Sequence, residues 1–246
     1  MRSSRAHAAG NGARSATVRT GRVSPRVKIS EMQRARLLSA AVVTIDEMGM
    51  AGASVAHISA RARVSRRTFY ELFANREECV IAVLDDVVAR ITIDLDIAGL
   101  EALPWRERIR MGLWRVLCFL DREPAFARVC VVQSVRGGRR VLEYREGILT
   151  RLAGVIDQGR HESARAAESP VLTAEGLVGA AVGILYSRLL RDEREMLSGL
   201  WGELMGLIVL PYLGSAAARQ ERTRAMPSVV VTDTSMGARD AEGLRG

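Results

Sequence analysis

Apolar residues recur at helical spacing through most of this chain, and the interruptions predict where helices begin and end. Leu38, Ala41, Val42 and Ile45 follow the i, i+3, i+4, i+7 rule of one buried helix face. Ser30 and Gln33 form a capping-box pattern that predicts a start near Glu31, and Gly49 and Gly52 predict the end. Ser54 is placed to cap a short helix with Val55, Ile58 and Ala62 on one face. Ser65 is placed to cap another, with Phe69, Leu72 and Phe73 inward. Asn75 with Glu78 predicts a longer helix from Arg76 to about Ile97, and Glu77 and Glu78 suit its N-terminal dipole. Further on, Pro104 and Pro124 read as first-turn prolines of two more helices. Helical pattern then covers about Gly138 to Ser163, Thr173 to Arg191 and Glu195 to Leu213. The prediction is an all-α chain.

Charge divides that chain unevenly. Residues 1–80 hold 14 Arg and Lys against 6 Asp and Glu, whereas residues 81–246 hold 22 of each, so the net +8 belongs to the first third. A basic segment on a neutral body predicts a polyanion partner for that segment alone, nucleic acid or an anionic membrane surface. Residues 1–28 and 215–246 lack a hydrophobic period and read as a disordered basic arm and a disordered tail. No apolar signal core occurs in residues 1–28, and the apolar run from Leu204 to Leu213 is too short to span a bilayer. The expectation is a soluble, cytoplasmic protein with no membrane partner. Cys79, Cys118 and Cys130 are too few and too scattered for a disulfide framework and read as small buried hydrophobes.

Residues 54–73 carry the functional signal. Two short helices separated near Ala62–Ser65 form a helix-turn-helix, whose second helix enters the DNA major groove. Packing of Ile58 and Ala62 on Val64, Phe69 and the first helix turns Ser65, Arg66, Arg67, Thr68 and Tyr70 outward together. An Arg pairs bidentately with guanine, hydroxyls bind phosphate oxygens, and helix N-terminal amides at Ser54 and Arg76 do the same. The stretch Ile58-Ser59-Ala60-Arg61-Ala62-Arg63-Val64-Ser65, then Thr68-Phe69-Tyr70-Glu71-Leu72-Phe73, then Arg76, resembles the tetracycline-repressor (TetR) family across residues 33–80. The resemblance implies that Thr68 and Tyr70 contact DNA, that Arg76 replaces a family lysine at a phosphate, and that Arg66 and Arg67 read bases. Two positions depart from the family pattern. Ser59 replaces a small alanine, and Arg63 stands in place of the turn glycine, where it strains the turn or adds a phosphate contact.

The same resemblance implies an N-terminal three-helix helix-turn-helix DNA-binding domain (residues 29–76) and a C-terminal helical ligand-binding and dimerisation domain (residues 77–214). Met111, Trp114, Cys118, Phe119, Phe126 and Tyr144 are candidate pocket residues, though such helical spacing more often belongs to ordinary core. Gly176, Gly179 and Gly183 lie at helical spacing and, with Trp201 and Leu204, are candidates for a homodimer interface. His7, His57 and His161 lack metal-ligand spacing, and no nucleophile elbow or phosphate-binding glycine loop occurs. No enzyme, metal or cofactor is therefore expected. The function expected is a sequence-specific regulator, most simply a repressor released from a palindromic double-stranded DNA operator by a small-molecule effector. An activator of the same fold and a non-specific polyanion or membrane-surface binder remain the alternatives.

Overall fold

A computed structural model describes residues 25–97, 102–162, 164–191 and 195–225, and all regular structure among them is helical. The N-terminal unit comprises α1 (Pro25–Gly52), α2 (Val55–Ala62), α3 (Arg66–Leu72) and α4 (Arg76–Ile97). The C-terminal unit comprises α5 (Trp105–Arg122), α6 (Pro124–Ala127), α7 (Arg139–Asp157), α8 (Ala164–Ala167), α9 (Thr173–Leu190) and α10 (Trp201–Thr223). From α6 the chain winds on through a π-helical stretch, Arg128–Gln133, and a 3-10 turn, Ser134–Arg136.

Two boundaries differ from the sequence expectation. The first helix begins at Pro25, ahead of the Ser30 capping box. Proline is well suited to a helix start, because its missing N–H would have had no partner there. The last four residues of the expected arm are thus helical, and residues 1–24 lie outside the described ones. At the other end, the expected tail starts too early. Helix α10 breaks at Gly214, whose φ of 82° favours glycine, and resumes as far as Thr223. The second arm folds back along the first. A Cβ on Gly206 would lie 2.8 Å from the Arg222 side chain and 3.3 Å from the Ala218 carbonyl, so the arms touch only because residue 206 is glycine. Residues beyond Ala225 lie outside the described ones.

The apolar faces form two main cores. The first joins Leu37, Ala41 and Ile45 of α1 with Ile58, Phe69, Phe73 and Val83, and takes in Val129 and Val141 from the C-terminal unit. The second joins Trp114, Leu117 and Phe119 of α5 with Leu185 of α9 and Trp201, Leu204, Met205 and Tyr212 of α10. Phe126 and Cys130 pack against both. By length and composition Leu197–Thr223, with mean hydropathy 1.3, is able to cross a membrane. Its Trp201, Met205, Val209 and Tyr212 are instead spent on the protein core, and the break at Gly214 divides it.

The returning arm is anchored by charge. Glu221 is fully buried and accepts hydrogen bonds from Arg110, itself only 2% exposed, and from Arg106. Burial works against the Glu221 carboxylate, but these guanidinium hydrogen bonds and charges outweigh it and hold its pKa below the ordinary range. A group whose pKa is lowered by folding stabilises the native state above its unfolded pKa, and that contribution fades as pH falls through the native value. Stability measured by urea denaturation is therefore expected to be maintained above roughly pH 4.3, the ordinary Glu value, and to decline below it. Glu221→Gln removes the buried counter-charge of Arg110, leaving it only the partly exposed Glu107, and is expected to cost about 3 kcal/mol at pH 7. An unchanged urea midpoint in that variant contradicts this account.

Candidate nucleic-acid interface

The reading surface is built by two serine caps and one buried aromatic residue. Ser54 sits in extended conformation before α2, and its Oγ accepts from the His57 backbone N–H at 3.2 Å. That cap starts a helix whose Ile58 and Ala62 are buried against α1. Arg63 ends it in the left-handed region, φ 54° and ψ 43°, with its N–H donating to the Ala60 carbonyl at 3.1 Å. The family's glycine would adopt this conformation freely, whereas an L side chain there costs about 1–2 kcal/mol. Ser59 is also buried, and its hydroxyl has no hydrogen-bond partner among the described residues. The family's alanine would carry no such polar atom.

Ser65 then caps α3, accepting from the Thr68 N–H at 3.0 Å, with the two side-chain hydroxyls 2.9 Å apart. Phe69 is fully buried, with Tyr70 edge-on at 5.5 Å and Phe73 tilted at 5.5 Å. Anchoring Phe69 leaves Ser65, Arg66, Arg67 and Tyr70 exposed and Thr68 half-buried between them. Arg67 pairs with Glu71 at 3.0 Å, but both side chains are largely in solvent, so the pair is worth little and is cheap to exchange for a DNA contact. The Ser54 and Ser65 oxygens act as acceptors in the caps, and a hydroxyl so engaged keeps a proton to donate to phosphate.

Arg76 starts α4 and has a second task. Its Nη1 donates to the carbonyls of Met50 at 2.7 Å and Ala53 at 3.1 Å, closing the C-terminal end of α1 onto α4. Asn75 Oδ1 accepts from the Glu78 N–H at 2.9 Å, and Glu78 reaches back to the Ala74 N–H at 2.8 Å. The predicted capping pattern is thus present, shifted by one residue in its return bond. Sequence reading missed three further contacts that hold this unit. Arg61 pairs with Glu47, tying α2 to α1, and Arg34 lies over the Phe73 ring at 5.8 Å. Arg128 donates two bonds of 2.6 Å to the Asp46 carboxylate, joining the π-helical stretch to α1. Its partner is 82 positions away in sequence, beyond any local signal.

The expected pocket residues divide between cores. Trp114 and Phe119 are buried in the second core, with Cys118 and Phe126 packed against it and Met111 half-buried on the same helix. Trp114 meets Trp201 edge-on at 6.0 Å. Tyr144 belongs to the first core, and its hydroxyl donates to Asp85 at 2.8 Å. The six therefore do not surround one space. An open cleft of about 690 Å³ lies instead beside α7, lined by Val135, Arg139, Leu142 and Glu146 among others.

The expected dimer residues divide as well. Gly176, Gly179 and Gly183 are exposed, and a Cβ at any of them would meet nothing within 4 Å. Trp201 and Leu204, in contrast, are 1% and 2% exposed within the subunit, and the Trp201 Nε1 donates to the Arg110 carbonyl at 3.1 Å. They are core residues and do not face a second subunit. Burial pushes the Cys79 and Cys130 thiols up to about 12, leaving almost no thiolate at neutral pH. Among the described residues no group of three or more His, Cys, Asp or Glu side chains is placed to hold a metal ion.

Comparison with known proteins agrees with this geometry. Residues 37–83 match the model of the bacterial regulatory proteins, tetR family. The fatty acid degradation regulator FadR from Bacillus halodurans superposes with a TM-score of 0.64 at 20% identity, covering 71% of this chain and 97% of that one. FadR from Bacillus subtilis, solved in complex with stearoyl-CoA, gives 0.58 at 18% identity over 71% and 97%. A TetR-like transcriptional regulator from Rhodococcus sp. RHA1 gives 0.53 at 23% identity over 77% and 97%. No curated protein sequence matches significantly. Residues 37–83 thus carry the DNA-binding helix-turn-helix of the bacterial tetR regulatory family, and the described helical chain shares the fold of TetR-like transcriptional regulators.

Proposed function

We propose that the protein acts in the cytoplasm as a homodimeric repressor, binding a two-fold symmetric operator and leaving it when a small, largely apolar effector enters the C-terminal unit. The observation that carries the DNA half is the anchoring of Phe69, which turns Ser65, Arg66, Arg67 and Tyr70 to solvent on one short helix. Arg66 and Arg67 then read bases, while Ser54, Ser65, Thr68 and Tyr70 hold phosphates. Arg76 contributes by fixing α4 against α1 and by lending charge to the α4 N-terminus. The work is binding, not catalysis.

The effector half is supported by the segment Pro124–Arg136. Phe126 and Cys130 lie between the two cores, and Phe119 meets Phe126 at 6.4 Å between ring centroids. A ligand wedged among Trp114, Phe119 and Phe126 would displace that segment. Arg128 on Asp46, and Gln133 accepting from the Met50 N–H at 3.3 Å, would pass the displacement to α1. π-Helical stretches of this kind occur often at functional sites. The ligand acts only through its preference for the conformation that does not fit both half-sites. The Bacillus subtilis regulator of the same fold was solved with stearoyl-CoA, which makes acyl thioesters a reasonable first class to screen.

The dimer half is supported by the uncovered glycine face of α9. Glycine inside a helix costs up to about 1 kcal/mol relative to alanine, and no neighbour within the subunit exploits these three. A second copy approaching Gly176, Gly179 and Gly183, with exposed Ile184 beside them, would do so.

Three outcomes are expected. Selection of bound DNA from a random pool should return an inverted repeat, and Arg67→Ala should relax one base position in each half-site, at about 1–3 kcal/mol of discrimination. Recovery of no preferred sequence removes the proposal. Effector candidates that raise the melting temperature should lower operator affinity in parallel, and stabilisation without loss of affinity breaks the coupling. Gly183→Leu should leave a folded monomer unable to hold the operator. The site is open within the subunit and leucine is the better helix former, so misfolding does not explain such a loss. Dimeric sedimentation of that variant contradicts the interface.

A further inference from the structure

We infer that Arg63 and Arg36 form a second phosphate clamp beside the recognition helix, so that the residue straining the turn is a DNA-backbone contact. This rests on the DNA reading above and adds a site to it. Arg63 is the one non-glycine with positive φ among the described residues. A bulky side chain held in a sparsely populated conformation is a reason to look for what it does there. Arg36, Arg61 and Arg63 line one shallow cleft of about 430 Å³ between α1 and the turn, with Ser39, Ala40, Val43 and Ala62.

Charge within that cleft is compensated only at Arg61 among its three arginines. Glu47 is taken by Arg61. Among the described residues Arg36 and Arg63 have no acidic partner, and both are exposed. The cleft therefore presents two free guanidinium groups, each a planar fork suited to phosphate oxygens. Its position selects the anion. Arg63 stands two residues before Ser65, the cap of α3, so its side chain leaves the backbone at the end of the helix that enters the groove. A strand whose bases meet Arg66 and Arg67 carries its phosphates past that end. Gly at residue 63 would relieve the turn and remove the contact in one change. The two effects have opposite signs, which makes the assignment separable from a structural role.

The test uses the full-length protein and the operator returned by the random pool, with binding measured from 50 to 200 mM salt. Arg63→Gly should melt higher than wild type yet bind several-fold more weakly at the low-salt end. Its plot of log affinity against log salt should be shallower by about 0.9, the release of one phosphate's counterions. Arg36→Ala should give a similar shallower slope, and Arg63→Lys should restore the wild-type slope. The selected base sequence should be unchanged throughout. A wild-type slope in Arg63→Gly overturns the clamp, as does a changed base preference, which would make Arg63 a base reader. Failure of wild type to prefer any sequence defeats the DNA reading itself and is seen before either variant is made.

Discussion

A seven-residue helix has no standing of its own in water, because nucleation costs more than so few hydrogen bonds return. Everything α3 presents to a partner therefore depends on how it is held. Phe69 holds it, fully buried among α1, α2 and α4, with Phe73 beside it under the Arg34 guanidinium. Caps fix both neighbouring starts, Ser65 at α3 and Asn75 at α4. The exposed face of α3 is consequently held to α1, and anything that rotates α1 rotates Arg66, Arg67 and Tyr70 with it.

Under the proposed effector response, that rigidity places control at the junction with the C-terminal unit. Val129 and Val141 are buried in the first core although they belong to the second unit, and Phe126 and Cys130 touch both. Close-packed cores do not deform continuously, so a shift of the Pro124–Arg136 segment has to be accommodated by movement of α1 or α4. The bidentate Arg128–Asp46 pair sets the register of that junction, since a guanidinium fork and a carboxylate meet well in one orientation. The π-helical winding of Arg128–Gln133 is what brings Arg128 toward α1 while Val129 and Val132 stay buried.

Much of the N-terminal unit was legible because its signals are local. Ser54, Ser65 and Asn75 cap where their positions imply, and the inward set Ile58, Phe69, Phe73 follows helical period. The strained turn at Arg63 followed from the glycine it replaces. The C-terminal unit was less legible for a definite reason. Period reports that a face is apolar and says nothing about what covers it. Trp201 and Leu204 read as surplus apolar surface for a partner, but the fold supplies the partner itself, through α5 and the returning arm of α10. That arm was hidden because Gly214 followed by Ser, Ala and Arg has the composition of a tail. Its anchor, Glu221 on Arg110, spans 111 positions, and no window of sequence contains both. Residue type alone places Tyr144 with the aromatic residues of α5, although its hydroxyl belongs to Asp85 on α4.

Charge pairing differs between the two units in a way that suits the two ligands proposed. In the C-terminal unit several cations have acidic partners at short range: Arg106 and Arg110 on Glu221, Arg160 on Asp157, and Arg128 on Asp46 of α1. Residues 81–246 hold 22 charges of each sign, so the net positive charge of the chain lies in its first 80 residues. The N-terminal unit does the reverse, pairing Arg61 and Arg67 only at the surface and leaving Arg36, Arg63 and Arg66 to solvent. These local charges act over about 10 Å at 0.1 M salt, which in the proposed DNA binding would favour approach of the duplex from the α3 side. An effector that altered only this field would weaken all DNA equally. One that moved the Pro124–Arg136 junction would instead change the spacing of two reading helices, and in a symmetric operator that is the quantity on which specific binding depends.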